Sequence, residues 1–194
     1  AWVHGIRNVL AHTGDLPQLG DHRDAMGVYD LDSVQLLAVI SGLNSGVDMM
    51  GNELVGKTDF YAGAVVNPGA DTEASLDCQL YKLEAQIKAG AKFIQTQAIY
   101  EPDKFAKFMK RVEGFGIPVM AGIIPLKSVG MARYMNRNVS GVFVPEEIIQ
   151  RVANAEDKNR IGLEIAAELM RDLKDLCQGL HIMPIGWEKK VPQM

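Results

Sequence analysis

Residues 60–97 run FYAGAVVNPGADTEASLDCQLYKLEAQIKAGAKFIQTQ, and three changes of rhythm within them predict a strand, a helix and a second strand. Phe60–Val66 is a continuous run of small and apolar residues, the pattern of a strand buried on both faces. Asn67-Pro68-Gly69 breaks it. From Glu73 to Lys88 the apolar positions Leu76, Leu80, Leu83 and Ile87 recur at helical spacing, and Gly90 supplies the usual glycine stop. Lys92–Gln97 returns to an extended pattern. Strand, helix and strand in this order, with no hairpin turn between the strands, indicate a parallel α/β unit.

The same alternation extends in both directions. Toward the N-terminus, Ile6–His12 is a strand ending in the turn-like Thr13-Gly14-Asp15-Leu16-Pro17, followed by a polar loop to about Val28. Leu31–Leu43 is a helix carrying Leu31, Val34, Leu37 and Leu43 on one face, with Asp30 or Asp32 as its N-cap. Toward the C-terminus, Pro102–Val112 is a helix with Phe105 and Phe108 turned inward, Ile117–Ile123 a strand, and Ser128–Arg137 a helix. Gly141–Val144 is a short extended piece, Pro145 sits in the first turn of a helix, Asn159–Leu176 is a long amphipathic helix, and Leu180–Met183 is a last strand. The fold class is therefore α/β, with five well-formed strands and one short one over a single domain, residues 1–194. No Gly-rich dinucleotide fingerprint follows the first strand. Polar residues gather at the strand ends, namely Asp15, Asn67, Gln97 and Lys127, where a TIM (β/α)8 barrel keeps its active site. A closed barrel needs eight strands, so the expected architecture is an incomplete barrel of about five βα units.

Composition narrows the function classes. Apolar residues make up 47% and charged residues 23%, as in an ordinary globular protein. The formal net charge of −4 and the lack of a basic run exclude nucleic acid and anionic membrane surfaces as partners. No apolar run approaches the roughly 20 residues needed to span a bilayer, and no signal peptide opens the chain. Cys78 and Cys177 lie far apart, in segments read as helices, and match no metal or redox spacing. They read as reduced cysteines packed as small hydrophobes, which fits a cytoplasmic protein. His4, His12, His22 and His181 have no metal-ligand spacing, so no metal is expected.

Five motifs in order carry a resemblance. LAHTGDLPQLGD (10–21), GVYDLDSVQLL (27–37), AGAKFIQTQAIYE (89–101), AGIIPL (121–126) and GLHIMPIGWEKKVP (179–192) resemble successive segments of the methylenetetrahydrofolate reductase family, the last of them in its anaerobic forms. The resemblance implies strands four to eight of a flavin-binding barrel, with the N-terminal three units and their general-acid glutamate outside the matched segment. It implies a flavin, FAD with FMN as the alternative. It also implies hydride transfer from the reduced flavin to 5,10-methylenetetrahydrofolate, giving 5-methyltetrahydrofolate.

By the same resemblance Asp15 is the catalytic aspartate near both flavin and pterin, where a carboxylate can accept a pterin hydrogen bond and favour a cationic intermediate. Gln97 matches the glutamine that contacts the folate ring, its amide offering donor and acceptor together. Gln95, two residues earlier, shares its side of the strand. Thr13, Gly14, Asp15, Tyr29, Asp30, Asn67 and Lys82 are the expected flavin contacts. Where better-known bacterial members carry a folate-holding glutamine and aromatic, this chain has Met131 and Met135, whose i, i+4 spacing suits core packing. Trp187 stacks on a ring or caps the rim, and His181 reads as a packed barrel histidine. The electron donor is either NAD(P)H or a partner subunit. An open edge at Ile6–His12 predicts an oligomer. The alternative function is an accessory pterin- or flavin-binding half-barrel subunit of a larger one-carbon assembly.

Overall fold

The computed structural model of the chain describes residues 1–70 and 72–194. Five strands form one parallel sheet in the order β1-β2-β3-β4-β5: β1 Asn8–Ala11, β2 Tyr61–Val66, β3 Phe93–Ala98, β4 Val119–Ile123 and β5 Gly179–Ile182. Among the described residues six α-helices accompany them: α1 Ser33–Ser45, α2 Glu73–Lys88, α3 Pro102–Val112, α4 Val129–Asn138, α5 Glu146–Asn154 and α6 Lys158–Leu173. The α/β class expected from the alternation is what the structure shows. The chain divides into two compact units, Ala1–Val65 with Tyr81–Phe93, and Val66–Leu80 with Ile94–Met194.

In the first unit, β1 and β2 pair in parallel with Asn8 opposite Tyr61 and Ala11 opposite Ala64. One face of β2 is fully buried through Ala62, Ala64 and Val66, while on the other Tyr61 is exposed and Val65 half-buried, so the strand is not buried on both faces as its run of small and apolar residues suggests. Helix α1 begins with a full capping box. The Asp32 carboxylate accepts the Gln35 N–H at 2.8 Å, and the Gln35 side chain accepts the Asp32 N–H at 2.9 Å. Of the two cap candidates Asp32 is thus the one used, and the helix starts two residues later than its apolar pattern suggests. Leu37 and Ile40 bury its inner face. Ser33 faces α2, where its hydroxyl accepts from the buried Gln86 amide at 3.0 Å. The Ser41 hydroxyl donates to the carbonyl of Ala89 at the end of α2, at 2.7 Å. Asn44 organises the approach to β2: its amide donates to Phe60 O, and its oxygen accepts from the Thr58 hydroxyl and the Phe60 N–H.

In the second unit, β3, β4 and β5 pair in parallel, Met120–Ile123 lying opposite Gly179–Ile182. Phe105 and Phe108 point inward from α3, as their spacing requires. Ile149 and Val152 from α5, and Ile165, Leu169 and Leu173 from α6, complete the apolar layer. Ser128 caps α4 and accepts the Met131 N–H at 3.1 Å, and Asp157 caps α6. Outward-facing ion pairs tie helices to one another, among them Arg151 with Glu168 at 2.7 Å and Arg111 with Asp77 at 2.7 Å.

Two expectations are corrected here. Gly141–Val144 is not a strand, because the Asn136 side chain takes both backbone groups of Val144, accepting its N–H at 2.7 Å and donating to its carbonyl at 2.9 Å. That amide leaves Val144 no backbone group for a ladder. The cysteines are free but not core residues: Cys78 is exposed on α2, and Cys177 lies in the turn after α6 instead of within the helix.

Candidate functional site

In parallel sheets the C-terminal ends of strands are where side chains and loops are free to meet a ligand, since helices cover both faces. In the first unit β1 delivers the chain into an irregular segment holding Thr13, Gly14 and Asp15, all three exposed. Gly14 has φ +83, a left-handed conformation that side chains seldom adopt, and the space around it is open. The backbone of this segment is thereby accessible to an incoming group. Its position is held from the far end of the loop: the Tyr29 hydroxyl donates to the Asp15 carbonyl at 3.0 Å. Tyr29 remains half exposed, Asp30 precedes the α1 cap in solvent, and Lys82 is exposed on α2. Leu16, Leu19, Met26 and Val28 in the same loop are also exposed.

In the second unit, Gln97 is the penultimate residue of β3 and is half-buried, as is Gln95, between the buried Ile94, Thr96 and Ala98. Around Gln97 the pairing of β3 with β4 is irregular, Gln95 facing Met120 and Ala98 facing Gly122. Just beyond it the Tyr100 hydroxyl donates to Ile124 O at 2.7 Å in the interior. Burial holds this phenol well above its ordinary range, so it stays a neutral donor.

Asn67 follows β2, and its amide is engaged by protein. It donates to Ser140 O at 3.2 Å and accepts the Gly69 N–H at 3.0 Å, joining the loop after β2 to the loop after α4. Met135 is buried, as its spacing suggests, and Met131 is half-buried. After β5, Trp187 has two lysine ammonium groups near its ring, Lys190 Nζ at 4.1 Å and Lys127 Nζ at 5.7 Å from the centroid. Lys127 also donates to Ile185 O, holding a turn in which Ile185 takes the unusual φ of +47. His181, on β5 opposite Gly122, is half-buried, and desolvation pushes its imidazole below the ordinary value. Among the described residues no group of three or more His, Cys, Asp and Glu could hold a metal ion, and no helix is long and apolar enough to cross a membrane.

A family model described as methylenetetrahydrofolate reductase matches residues 1–194. The chain belongs to that family. Among curated relatives of this reductase-family chain, methylenetetrahydrofolate reductase 2 of Schizosaccharomyces pombe is 28% identical over 211 residues, covering 97% of this chain and 31% of that one. The 5,10-methylenetetrahydrofolate reductase of Escherichia coli is 26% identical over 179 residues, covering 89% of this chain and 53% of that one. The reductase-family chain thus spans about a third to about half of the length of these relatives. It is also similar to a solved structure of an uncharacterized protein from Clostridium thermocellum that binds two copies of 5-methyl-5,6,7,8-tetrahydrofolic acid. That match has a TM-score of 0.47 and 18% identity, and covers 70% of this chain and 50% of that one. It is too distant to bear on the chemistry.

Two residues of this reductase-family chain stand out only in three dimensions. Thr96 and Tyr100 each bridge β3 or its extension to β4 through a side-chain hydroxyl. The sequence carried a faint signal for Thr96, a polar residue on the buried parity of IQTQA. For Tyr100 there was none.

Proposed function

We propose that this chain carries the folate- and flavin-facing half of a methylenetetrahydrofolate reductase, reducing 5,10-methylenetetrahydrofolate to 5-methyltetrahydrofolate. The observation that carries the proposal is the family match along all of residues 1–194. The sheet favours a barrel over a doubly wound fold. Its strands follow one another in sequence order without the reversal that creates a switch point in doubly wound sheets. Five consecutive units of a TIM (β/α)8 barrel, strands four to eight, account for that order.

The residues of the first unit suit a flavin. Exposed backbone around Gly14 can approach a cofactor closely, Thr13 and Asp30 add polar side chains, and Lys82 adds a cation. Asp15 and Tyr29 belong to the same loop. Asn67 suits it less well, since its amide already serves Ser140 and Gly69, and we assign it to loop architecture. The flavin, FAD in preference to FMN, would supply the hydride. Asp15 has the task of accepting a hydrogen bond from the pterin and opposing the positive charge that develops on the substrate as the hydride approaches. Gln97 orients the pterin edge through its paired donor and acceptor. Relatives from Zea mays and Caenorhabditis elegans bear NADH and NADPH in their names, which favours a nicotinamide donor over a partner subunit.

The test is a pair of substitutions with different kinetic signatures. Asp15→Asn keeps the shape and removes the charge, so it should lower kcat by about a hundredfold, in the range of removing one electrostatic contact to a transition state. Gln97→Ala should act mainly on KM for the folate, which it binds in ground and transition states alike. Wild-type kcat and KM in both variants would refute the assignment of these residues.

A further inference from the structure

Thr96 stands on the buried face of β3 with 3% of its surface exposed, where a hydroxyl without partners is costly. Its partners are unusual. The Oγ accepts the N–H of Gly122 at 3.0 Å, and the O–H donates to the carbonyl of Gln97 at 2.8 Å. Gly122 belongs to β4, so one side chain connects the backbone of the neighbouring strand to the peptide that follows Gln97.

This connection falls where the ladder is irregular. Between Gln95 and Ala98 the β3 chain advances three residues while β4 advances two, from Met120 to Gly122. One extra residue is therefore accommodated in β3 at Thr96–Gln97, a bulge, and bulges re-aim the side chains they carry. The strand opposite is fitted to it. A Cβ on Gly122 would lie 2.6 Å from the carbonyl oxygens of both Thr96 and Gln97, so only glycine lets β4 come this close. Beyond the bulge regular bonding resumes, Ile99 N–H donating to Gly122 O at 2.9 Å. The hydroxyl of Thr96 thus occupies the gap that the extra residue opens in the ladder.

We infer that Thr96 is a positioning residue for Gln97: its hydroxyl, clamped by the Gly122 N–H, fixes the bulge that aims the Gln97 amide at a reduced folate. The inference rests on the assignment of Gln97 to the pterin made above. It also specifies which part of Thr96 matters. The methyl group only fills space, and the hydroxyl sets the geometry.

Two variants separate these parts. Thr96→Ser keeps the hydroxyl and loses the methyl, and Thr96→Val keeps the branched shape and loses the hydroxyl. The probe is 5-methyltetrahydrofolate, with its dissociation constant measured by calorimetry below the melting temperature of every variant and Gln97→Ala as the benchmark. Thr96→Val should weaken binding about tenfold, approaching the benchmark, as expected for one misplaced hydrogen-bonding group. Thr96→Ser should stay within about threefold of the wild type. Where Gln97→Ala weakens binding, a folded Thr96→Val that binds like the wild type, or a Thr96→Ser as weak as Thr96→Val, overturns the inference. Amide exchange and side-chain amide NMR of the ligand-free protein provide a readout independent of folate. In Thr96→Val the Gly122 N–H should exchange faster and the Gln97 side-chain amide resonances should move, both restored in Thr96→Ser. Unchanged signals in Thr96→Val overturn the positioning role. If those signals change while Gln97→Ala binds folate like the wild type, the positioning stands and the folate assignment of Gln97 is what fails.

Discussion

Gln86 shows what a single residue can hide from a pattern. The spacing of Leu76, Leu80, Leu83 and Ile87 defines the inner face of α2, yet only Leu83 of these is fully buried, and Gln86 is buried beside it. Its amide nitrogen reaches the Ser33 hydroxyl, while its Oε1 has no hydrogen-bond partner among the described residues. Removing the Ser33 hydroxyl alone strands the other end of the amide as well, so Ser33→Ala should cost about 1–3 kcal/mol. Ser33→Ala with Gln86→Met removes both polar groups at nearly constant volume and should recover most of that loss, read by urea denaturation. A double variant no more stable than Ser33→Ala would contradict this account of the pair. His181 supplies a second residue-scale expectation. Desolvation lowers its folded pKa. As pH falls through about 6.5, the unfolded chain gains a proton that the folded chain resists, and stability falls. Above that range the residue imposes no such cost. His181→Gln should flatten the loss of stability between about pH 7.5 and 5.5, and an unchanged slope would exclude His181 as its source. Neither residue was readable from apolar periodicity, which sees spacing and not partners.

At the scale of elements the sequence was more legible. Helices α2 and α3 begin and end where glutamate, proline, lysine and glycine signals put them, because those signals act locally. Strand ends drifted by one or two residues, as with β1, expected from residue 6 and observed from Asn8, since pairing and not composition decides where a ladder stops. The start of α1 shows a choice that only geometry makes. Asp30 and Asp32 are both able caps, and Asp32 is selected because Gln35 can return the hydrogen bond. Asp32→Ala should therefore cost about 1 kcal/mol in global stability, while Asp30→Ala should leave it unchanged. Equal losses in the two variants would mean that the box does not form. The expected extended piece at 141–144 failed for a related reason, an Asn136 side chain standing in for a strand neighbour.

For the molecule as a whole, the rhythm of strands and helices was enough for the α/β class and for a parallel sheet, because period and punctuation both survive in one sequence. Family membership was legible in the ordered motifs and is supported along all of residues 1–194. Asp15 and Gln97 could be picked out as candidates by residue type, after β1 and near the end of β3, but nothing in the sequence told how each is supported. The Tyr29 hydroxyl on the Asp15 carbonyl and the Thr96 hydroxyl between Gly122 and Gln97 are contacts across 14 and 26 residues of sequence, and no local pattern announces them. The central claim is that this chain serves a flavin that passes hydride to methylenetetrahydrofolate. The most direct measurement is an anaerobic half-reaction: the purified flavin-loaded protein is reduced, mixed with 5,10-methylenetetrahydrofolate, and followed by its visible absorbance. The account predicts that the oxidised flavin band returns with formation of 5-methyltetrahydrofolate, and that Asp15→Asn slows this step. A protein that retains no flavin, or a flavin that stays reduced in the presence of the folate, would contradict it.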